Sequence, residues 1–410
     1  GMNLEMRLFA DDSSLFTCVD DIGESHEKLS NDLDTVLSWA KQWKMEFNLT
    51  VSKQAIEVIF SAKKEKPAHP CLSLNSIPVA KKNCTKHLGI YLDSSLNFSK
   101  HIREAVSKAQ KGLSLLKYLS RYVSRHVLDL SYKLHVRAHL DYGDIIYHNQ
   151  RDDLMKLIEQ VQYKAALIVS GCWQGTSREK LYDELGWESL SDRRWFRRLT
   201  TFYQITNGHT PSYLRDHIPN HHDTHISFLN RGTRAPVSRT VRYDNSFFPY
   251  CINIWNNLDD SIKNMPTVSS FKNYLLGFIR PKGSSLFGIR DKFGIRLLTN
   301  IRVEFSDLRD HRFNHNFNCN DPKCFCGEDD ETNIHYFLSC PRYDTQRTNL
   351  LSKVSDILAS DVSILPTQHL TNILLYGSNM FNEAANKQIV EQTITYIKRT
   401  GRFNSLEAFS

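Results

Sequence analysis

The sequence predicts an α+β fold, and three observations support that class. Over residues 1 to about 95, short runs that alternate apolar and polar residues, as β-strands do, surround one long helical pattern. After residue 96, apolar residues recur at helical spacing instead. Near residue 330, cysteines and a histidine crowd into a short window. We therefore expect strands with one helix, then mainly helical regions that include a small metal-binding segment.

Composition limits the class of protein further. The 410 residues are enough for two or three domains, and 40% hydrophobic and 24% charged residues are ordinary values for a globular chain. A net charge of +7 permits an anionic partner. No apolar run reaches eighteen residues and no secretory signal is evident, so we expect no membrane span and an intracellular location, cytoplasmic, nuclear or both. Nine cysteines, an odd number, favour reduced thiols or a metal site over a disulfide framework.

The stretch "RLFADDSSLF" predicts a β-hairpin with two carboxylates at its tip. Apolar and polar residues alternate on both sides of the polar tetrad that contains Asp11 and Asp12. Such a turn has two interpretations. Asp and Ser serve tight turns because their side chains hydrogen-bond nearby backbone groups. Adjacent carboxylates on a rigid turn also suit Mg²⁺ and phosphate chemistry.

The rest of the first region alternates strands with one helix. Asp21 and Glu24 form a possible capping box before the helix. "AIEVIFS" predicts a strand, a hairpin is expected to turn near Asn75 and Ser76, and a further strand is expected from His87 to Leu92. We expect these strands to form a sheet layer with the helix on one face. The apolar face of that helix has Leu29, Leu33, Val36, Leu37, Ala40 and Trp43.

A basic helix is predicted from Ser99 to about Arg125. Its apolar stripe consists of Ile102, Val106, Ala109, Leu113, Leu116 and Leu119. Against the single acid Glu104, the opposite face has the cations Lys100, Arg103, Lys108, Lys111, Lys117, Arg121 and Arg125. A charged helix face is often only a solvated surface. The excess of cations favours contact with nucleic-acid phosphates, and both interpretations stay open.

Further helical segments and a connector follow. Helices are expected to about Tyr142 and from Asp152 to Ser170, and "DRRWFRRL" repeats the basic theme with four arginines around two aromatic residues that we expect in the helix core. Residues 206 to 250 predict an irregular connector with four histidines in "DHIPNHHDTH", a weak metal candidate because cysteine and acidic partners are absent at ligand spacing. "FFPYCINIWNNL" and "FKNYLLGFI" then restore apolar packing.

"CNDPKCFCGEDDETNIHYFLSCPRY" predicts a zinc site. Its Cys324, Cys326, His335 and Cys340 supply three thiolates and one imidazole, a set that forms closed tetrahedral sites. Gly327 allows a tight turn after the first pair. The one-residue gap between the first two cysteines is shorter than usual, and Cys319 is an alternative ligand. With four protein ligands and no open position, a structural zinc is favoured over a catalytic one; free thiols are the alternative.

The order of these segments resembles the C-terminal half of a reverse transcriptase, in the non-LTR, LINE-like (jockey-type) retrotransposon group. The resemblance is carried by "FADDSSLF", "WAKQWKMEFN", "SKQAIEVIFS" and "KHLGIYLDSSLNFSKHI". It continues in "GWESLSDRRWFRRLTTFYQITNGHTPSYL", "NIWNNL" and "CFCGEDDETNIHYFLSCPRYDTQR", which resemble the stretches after the polymerase in those elements.

This resemblance implies roles for individual residues. Asp11 and Asp12 match the aspartate pair of the F/Y-x-D-D box and would be catalytic Mg²⁺ ligands in two-metal nucleotidyl transfer. The Cys₃His set matches the family's terminal zinc knuckle. "HLGIYLD" resembles the primer-grip hairpin, and the basic helix resembles the thumb. Lys53 falls near the family's lysine after "FN", although "LTVS" intervenes. The implied partners are an RNA template with a DNA primer, or an RNA–DNA hybrid.

The resemblance also implies a fragment of a polyprotein. The family's third essential aspartate and its fingers lie upstream of the F/Y-x-D-D box, so we expect an upstream segment of the same polyprotein and no measurable primer extension from this chain alone. An alternative is a non-catalytic nucleic-acid-binding remnant with a structural zinc; another is an unrelated protein with a zinc-stapled tail. The predicted parts are a truncated palm (1–95), a basic helical thumb-like region (96–205), a connector (206–300), a zinc-knuckle region (301–345) and a helical tail (346–410).

Overall fold

A computed structural model describes most of the chain. The described residues are 4–9, 12–19, 21–45, 47, 55–61, 70–147, 151–218, 240–279 and 285–403. The chain divides into two compact units, Gly1–His101 and Ile102–Ser410. In the described chain, all strands lie in the first unit and nearly all helices lie in the second. The predicted α+β class therefore holds in its coarse form, as a mixture of helices and small sheets.

The strands of the first unit are short. They are β1 (Glu5–Phe9), β2 (Asp12–Phe16), β3 (Ile56–Glu57), β4 (Ser73–Leu74), β5 (Ile77–Pro78), β6 (Ala80–Lys81), β7 (Cys84–His87) and β8 (Ile90–Asp93). They pair as β1–β2, β4–β5 and β7–β8 in antiparallel fashion and as β3–β6 in parallel fashion. These described strands form four separate two-stranded sheets. The single sheet layer expected from the sequence is therefore wrong for this part of the chain.

The first hairpin is confirmed. Strands β1 and β2 pair in register, and Phe9 opposite Asp12 is the pair nearest the turn. The two connecting positions, Ala10 and Asp11, lie outside the described residues. Asp12 therefore opens the second strand, with its side chain exposed beside the turn.

The long helix of this unit, α1 (Ile22–Gln42), begins as its sequence predicts. The Asp21 side chain caps it by accepting a hydrogen bond of 2.9 Å from the backbone N–H of Glu24. Leu29, Leu33 and Leu37 on its apolar face pack against a small core from the second hairpin. That core consists of Leu72, Leu74 and Val79.

Two tight turns have the left-handed backbone of two-residue hairpin loops. Asn75 and Ser76 have φ of 52° and 64°, so the hairpin expected there is confirmed. Leu88 and Gly89 have φ of 45° and 82°, and they join β7 to β8. The expected continuous strand from His87 to Leu92 is therefore wrong. Alternation alone did not reveal the turn because apolar Leu88 occupies a position usually taken by Asn or Asp.

The basic helix, α2 (Ser99–Leu119), buries the apolar stripe that the sequence predicts. Ile102, Ala109 and Leu116 are almost fully inaccessible to solvent. The helix ends six residues earlier than expected, and Arg125 begins the next helix. On the packed side, Gly112 lies against the backbone of residue His135, where a Cβ atom would come within 2.3 Å of the carbonyl oxygen.

Helices build the rest of the second unit, and none in the described chain is long and apolar enough to cross a lipid bilayer. The first are α3 (Arg125–Tyr132), α4 (Ala138–Asp141), α5 (Asp144–Tyr147), α6 (Asp152–Ser170), α7 (Arg178–Leu185), α8 (Leu190–Thr206) and α9 (Ser212–Arg215). Then come α10 (Val241–Asp244), α11 (Phe247–Asn256), α12 (Asp260–Lys263), α13 (Val268–Ile279), α14 (Lys292–Arg302) and α15 (Arg309–Asn314). The last are α16 (Asp344–Leu358), α17 (Thr367–Tyr376) and α18 (Glu383–Arg399).

Two apolar cores hold parts of this unit together. One lies between α8, α11 and α13, where Phe202, Trp255 and Phe271 meet, and Trp195 and Phe196 pack against it. The apolar packing expected for these segments is confirmed, and so is the core role of the two aromatics in "DRRWFRRL". The other core gathers α14, α16, α17 and α18 around Tyr336 and Phe337.

A buried Arg–Glu–Arg triad connects three helices of the second unit. The Glu184 carboxylate on α7 accepts hydrogen bonds of 3.3 Å from Arg125 on α3 and from Arg302 on α14. Less than a tenth of each side chain is exposed. Arg125 also donates to the Thr299 hydroxyl, and Arg302 donates to the Leu375 carbonyl. Burial lowers the pKa of Arg125, and the Glu184 charge opposes that shift.

Removing the shared carboxylate should unfold this unit readily. We expect Glu184→Ala to lower the free energy of unfolding by about 3–5 kcal/mol, because it leaves two buried guanidinium groups without a counter-charge. Urea titration followed by circular dichroism measures the change. Glu304→Ala is the matched control: it removes the exposed Lys180–Glu304 pair and should cost less than about 1 kcal/mol. Equal losses in the two variants would contradict the role of the triad.

Candidate functional site

The first two cysteines of the predicted metal site lie on a tight turn. A β-bridge joins Lys323 and Asp330 at the base of this turn, and the backbone N–H of Cys324 donates to the Asp329 carbonyl over 2.8 Å. Gly327 has φ of 84°, and its N–H donates to the Cys324 carbonyl. Because this left-handed position strains residues that have a Cβ atom, the predicted role of glycine in the turn is confirmed.

The other two ligand candidates lie at the ends of one π-helical turn, His335–Ser339. The Thr332 hydroxyl accepts from the backbone N–H of His335, and the N–H of Cys340 donates to the His335 carbonyl over 2.7 Å. The wider turn therefore places the imidazole and the Cys340 thiol on one side of the backbone. Both side chains are buried.

The four side chains converge. Their ligand atoms all lie within 4.8 Å of one another. The Sγ atoms of Cys324 and Cys340 are 3.7 Å apart, and Cys326 Sγ lies 3.2 Å from His335 Nε2. A tetrahedral zinc with Zn–S bonds of about 2.3 Å needs S···S edges of about 3.8 Å. The donor set and its spacing therefore fit a closed tetrahedral metal site.

The thiols differ in how readily they ionise. Burial raises the pKa of Cys324 to about 12 and also raises the pKa of Cys340. Burial acts in the same direction on Cys326, but backbone N–H groups of Glu328 and Asp329 and the neighbouring thiols outweigh it and lower its pKa. Cys326, the least buried of the three thiols, would therefore ionise first, and the charge of a bound cation would favour ionisation of the two buried thiols.

The imidazole has the orientation that a zinc ligand needs. His335 Nε2 faces the sulfur atoms, whereas its Nδ1 is buried and has no hydrogen-bond partner among the residues that the structure describes. A neutral ring with its proton on Nδ1 would leave the Nε2 lone pair free for a metal. The ring nitrogen that faces the three thiols is therefore the one that a metal ion would bind, together with the sulfur atoms.

Two other candidate ligands among the described residues, Cys319 and His217, do not join the cluster. Cys319, the alternative to one of the first pair, donates instead to the Asp321 carbonyl over 3.1 Å. Of the connector histidines, His217 lies beside the ring of Phe248. The remaining three, His221, His222 and His225, lie outside the described residues.

The metal-site turn is anchored to the C-terminal part of the second unit. Glu331, which is fully buried, accepts bonds of 2.6 and 2.7 Å from the Arg402 guanidinium and 2.8 Å from the backbone N–H of Arg309. Arg347 donates to the Cys340 carbonyl over 2.8 Å. These links couple the cluster geometry to α16 and to the end of the chain after α18.

The second candidate site is the exposed face of α2. All six predicted nucleic-acid contacts there have exposed side chains, and among the described residues none of them forms a salt bridge. The six are Lys100, Arg103, Lys108, Lys111, Lys117 and Arg121. Lys100 lies over the ring of Tyr91 in the first unit, with 4.7 Å between its Nζ and the ring centroid.

Five other basic residues that the sequence suggested for nucleic-acid contact are buried or paired with acids. Arg125, counted with the basic face in the sequence, is buried in the triad with Glu184. The arginines of "DRRWFRRL" also make contacts within the fold, although two of them, Arg193 and Arg197, are partly exposed. Two of them bind acids, Arg193 to Asp141 over 2.9 Å and Arg197 to Asp144 over 3.0 Å. The other two are buried: Arg194 and Arg198. In the described chain these arginines therefore take part in contacts within the fold, and the second basic stretch does not present a free cationic face like that of α2.

Of the two aspartates at the first hairpin, the structure describes one. Asp12 is exposed at the start of β2, while Asp11 lies outside the described residues, as does Lys53. The Ser14 hydroxyl of β2 lies 3.5 Å from His87 Nδ1 of β7. The hairpin that has the aspartates and the hairpin that resembles the primer grip are therefore neighbours in the first unit.

The structure also reveals two residues that the sequence interpretation missed. Tyr118 and Tyr122 lie at the C-terminal end of α2, both largely exposed, with their ring centroids 5.3 Å apart. Their four-residue spacing among Lys117 and Arg121 was the available signal. Sequence alone does not identify this pair, because the same spacing is found for tyrosines that pack in a core.

Comparison with known proteins agrees with the sequence resemblance. A curated Drosophila melanogaster protein, described as "Probable RNA-directed DNA polymerase from transposon X-element", is 27% identical to this chain over 224 residues. The resemblance to a non-LTR retrotransposon reverse transcriptase is confirmed. The alignment covers 50% of this chain but only 22% of the relative. No family model matches the chain. No solved structure matches it either.

The cluster should bind one metal ion whose loss loosens the C-terminal part of the second unit. We expect purified, reduced protein to contain about one Zn²⁺ per chain by elemental analysis, and Cys340→Ser to lose the metal and lower the thermal midpoint, because metal binding also stabilises the fold. Cys319→Ser, outside the cluster, should keep both at wild-type values. A folded wild-type sample without zinc would contradict the assignment.

Proposed function

We propose that this chain is part of a retrotransposon RNA-directed DNA polymerase, in which residues 1–95 belong to the palm and residues 96–205 to the thumb. Residues 206–300 connect these to a zinc-knuckle region (301–345) and a helical tail (346–410). Its partners are an RNA template and a DNA primer, or their hybrid. The observation that carries the proposal is the similarity to the transposon polymerase over half the chain, in agreement with the order of the motifs.

The first hairpin supports a role in nucleotidyl transfer. Asp12 is exposed at the start of β2, beside the turn, and Asp11 precedes it directly in the sequence. The contact between Ser14 and His87 brings this tip near the primer-grip-like hairpin, which suits delivery of carboxylates to the primer end. Mg²⁺ held there would neutralise charge on the reacting phosphates. We expect the third aspartate of the family on a segment of the polyprotein that precedes this hairpin.

The α2 face supports contact with the nucleic-acid backbone. Because its cations lack acidic partners in the described chain, they are available to phosphate groups. The stripe of Ile102, Ala109 and Leu116 fixes the helix on its opposite side, so the direction of the cationic face is set by packing. Contact through several such cations gives strongly salt-dependent binding.

The Cys₃His cluster supports a structural zinc. Four protein ligands complete a tetrahedral shell, which leaves no position for a reacting water molecule. Its links through Glu331 and Arg347 connect it to the terminal helices. Zinc here would therefore stabilise the C-terminal region.

A salt titration tests the role of α2. Charge reversal of Lys108, Lys111 and Lys117 to Glu should weaken single-strand binding and lower the slope of log K against log salt by about 2, because each phosphate contact on a single strand contributes about 0.7. Fluorescence anisotropy with a labelled oligonucleotide measures this slope. Reversal of three exposed lysines elsewhere, Lys156, Lys164 and Lys387, is the matched control. An equal slope in both triple variants would show that the α2 face is only a solvated surface.

Substitution of the aspartates tests catalysis. In the longest reading frame that contains this sequence, Asp11→Asn or Asp12→Asn should reduce RNA-templated primer extension about a thousandfold or more, because metal-bound carboxylates supply several kcal/mol of transition-state stabilisation. Nucleic-acid affinity should be unchanged, since the acids lie apart from the cationic face in sequence. Glu5→Gln, on the same hairpin, is the control. Binding without extension in the wild type would favour the alternative, a non-catalytic nucleic-acid-binding remnant.

A further inference from the structure

Tyr118 and Tyr122 form an exposed aromatic pair where α2 ends. Tyr118 is 61% exposed and Tyr122 is 65% exposed, and their rings are tilted by 52° with centroids 5.3 Å apart. Neither hydroxyl has a hydrogen-bond partner among the described residues. Large aromatic side chains usually bury most of their surface, so two adjacent rings in solvent indicate a binding surface.

The pair does not belong to the core of the second unit. The apolar stripe of α2 fills its buried positions, and Leu116 is the last buried residue of that stripe. Tyr118 lies on the opposite side, seven positions after Lys111, a spacing that puts both residues on one helical face. The aromatic pair therefore extends the cationic face.

Cations surround the pair. Lys117 and Arg121 alternate with the tyrosines in sequence, and Lys292 donates to the Arg121 carbonyl over 3.4 Å, which places a further ammonium group nearby. The carboxylate of Asp291, next to Lys292 in sequence, forms an ion pair with Lys398 at 3.0 Å. Positive charge beside exposed aromatic faces suits a ligand that offers both phosphate and a flat ring.

We propose that Tyr118 and Tyr122 stack on an unpaired base of a nucleic-acid strand whose phosphates contact Lys111, Lys117 and Arg121. This inference rests on the proposed function of α2 and specifies its ligand. The two rings are too close and too tilted to enclose a base between them, so the base stacks on an outer ring face. In a continuous duplex the base faces are covered by their neighbours, so the ligand is single-stranded at this position.

Three probes separate stacking from charge in the full-length, zinc-loaded chain. They are a fluorescein-labelled oligothymidine, an abasic strand of the same length, and a blunt duplex. Anisotropy titrations should show that Tyr118→Ala/Tyr122→Ala weakens oligothymidine binding about tenfold or more, because one stacked base contributes appreciably to affinity. Binding of the abasic strand and of the duplex should change less than twofold, and the salt slope should stay at the wild-type value.

Two control variants isolate the role of the rings. Tyr118→Phe/Tyr122→Phe keeps both ring faces and should bind oligothymidine within about twofold of wild type. Tyr243→Ala, which removes an exposed tyrosine elsewhere in the second unit, should leave all three affinities unchanged. Circular dichroism and the thermal midpoint check that the double alanine variant is folded. Since both rings are mostly in solvent, wild-type values are expected.

The outcomes distinguish this inference from the function it extends. Wild-type oligothymidine affinity in the double alanine variant overturns the stacking role, even if the lysine reversals still lower the salt slope. Equal losses for oligothymidine and for the abasic strand or duplex also overturn it, because the rings would then contact the backbone. If the lysine reversals leave the slope unchanged, the proposed function of α2 fails. A base-dependent loss in the alanine variant would still support stacking in that case.

Discussion

The arrangement of the second unit depends on one carboxylate shared by two buried guanidinium groups. Glu184 lies in the middle of the chain, Arg125 follows the basic helix, and Arg302 begins the C-terminal part. A charge buried without a partner is costly, so α3, α7 and α14 are favoured only when they meet in this one arrangement. The apolar cores supply most of the attraction between these helices, and we infer that the triad adds a preference for the arrangement in which both guanidinium groups reach Glu184.

Local patterns predicted those parts of the fold whose cause is local. The spacing of Ile102, Ala109 and Leu116 gave the buried side of α2, and Asp21 gave the start of α1 because a cap acts within one turn. The metal-ligand residues were also predictable, since thiols and an imidazole in one short window need only a turn at Gly327 and another at His335 to meet. Cys326 and its neighbours are brought together by contacts that span fewer than twenty residues.

The errors concern partners that are distant in sequence. Arg125 and Arg193 looked like surface cations because nothing nearby shows that Glu184 and Asp141 approach them in the fold. A basic residue in a helix has the same local pattern whether its partner is a phosphate or a buried acid. The hairpin at Leu88 was missed for a different reason, because its two strands are only four residues long and an apolar residue occupies the turn.

The contact at Gly112 gives the cationic helix an evolutionary constraint that its exposed side chains do not have. The backbone of α2 approaches His135, in the π-helical turn Lys133–Arg137 that follows α3, so closely that there is room for a hydrogen atom but not for a methyl group. Even alanine, the mildest change a helix can accept, would have to push the two segments apart. Variation should therefore be tolerated widely along the solvent side of α2 and hardly at all at this one inward glycine. Among relatives of this chain, retention of glycine at this position would indicate that the helix is still under selection as a fixed surface.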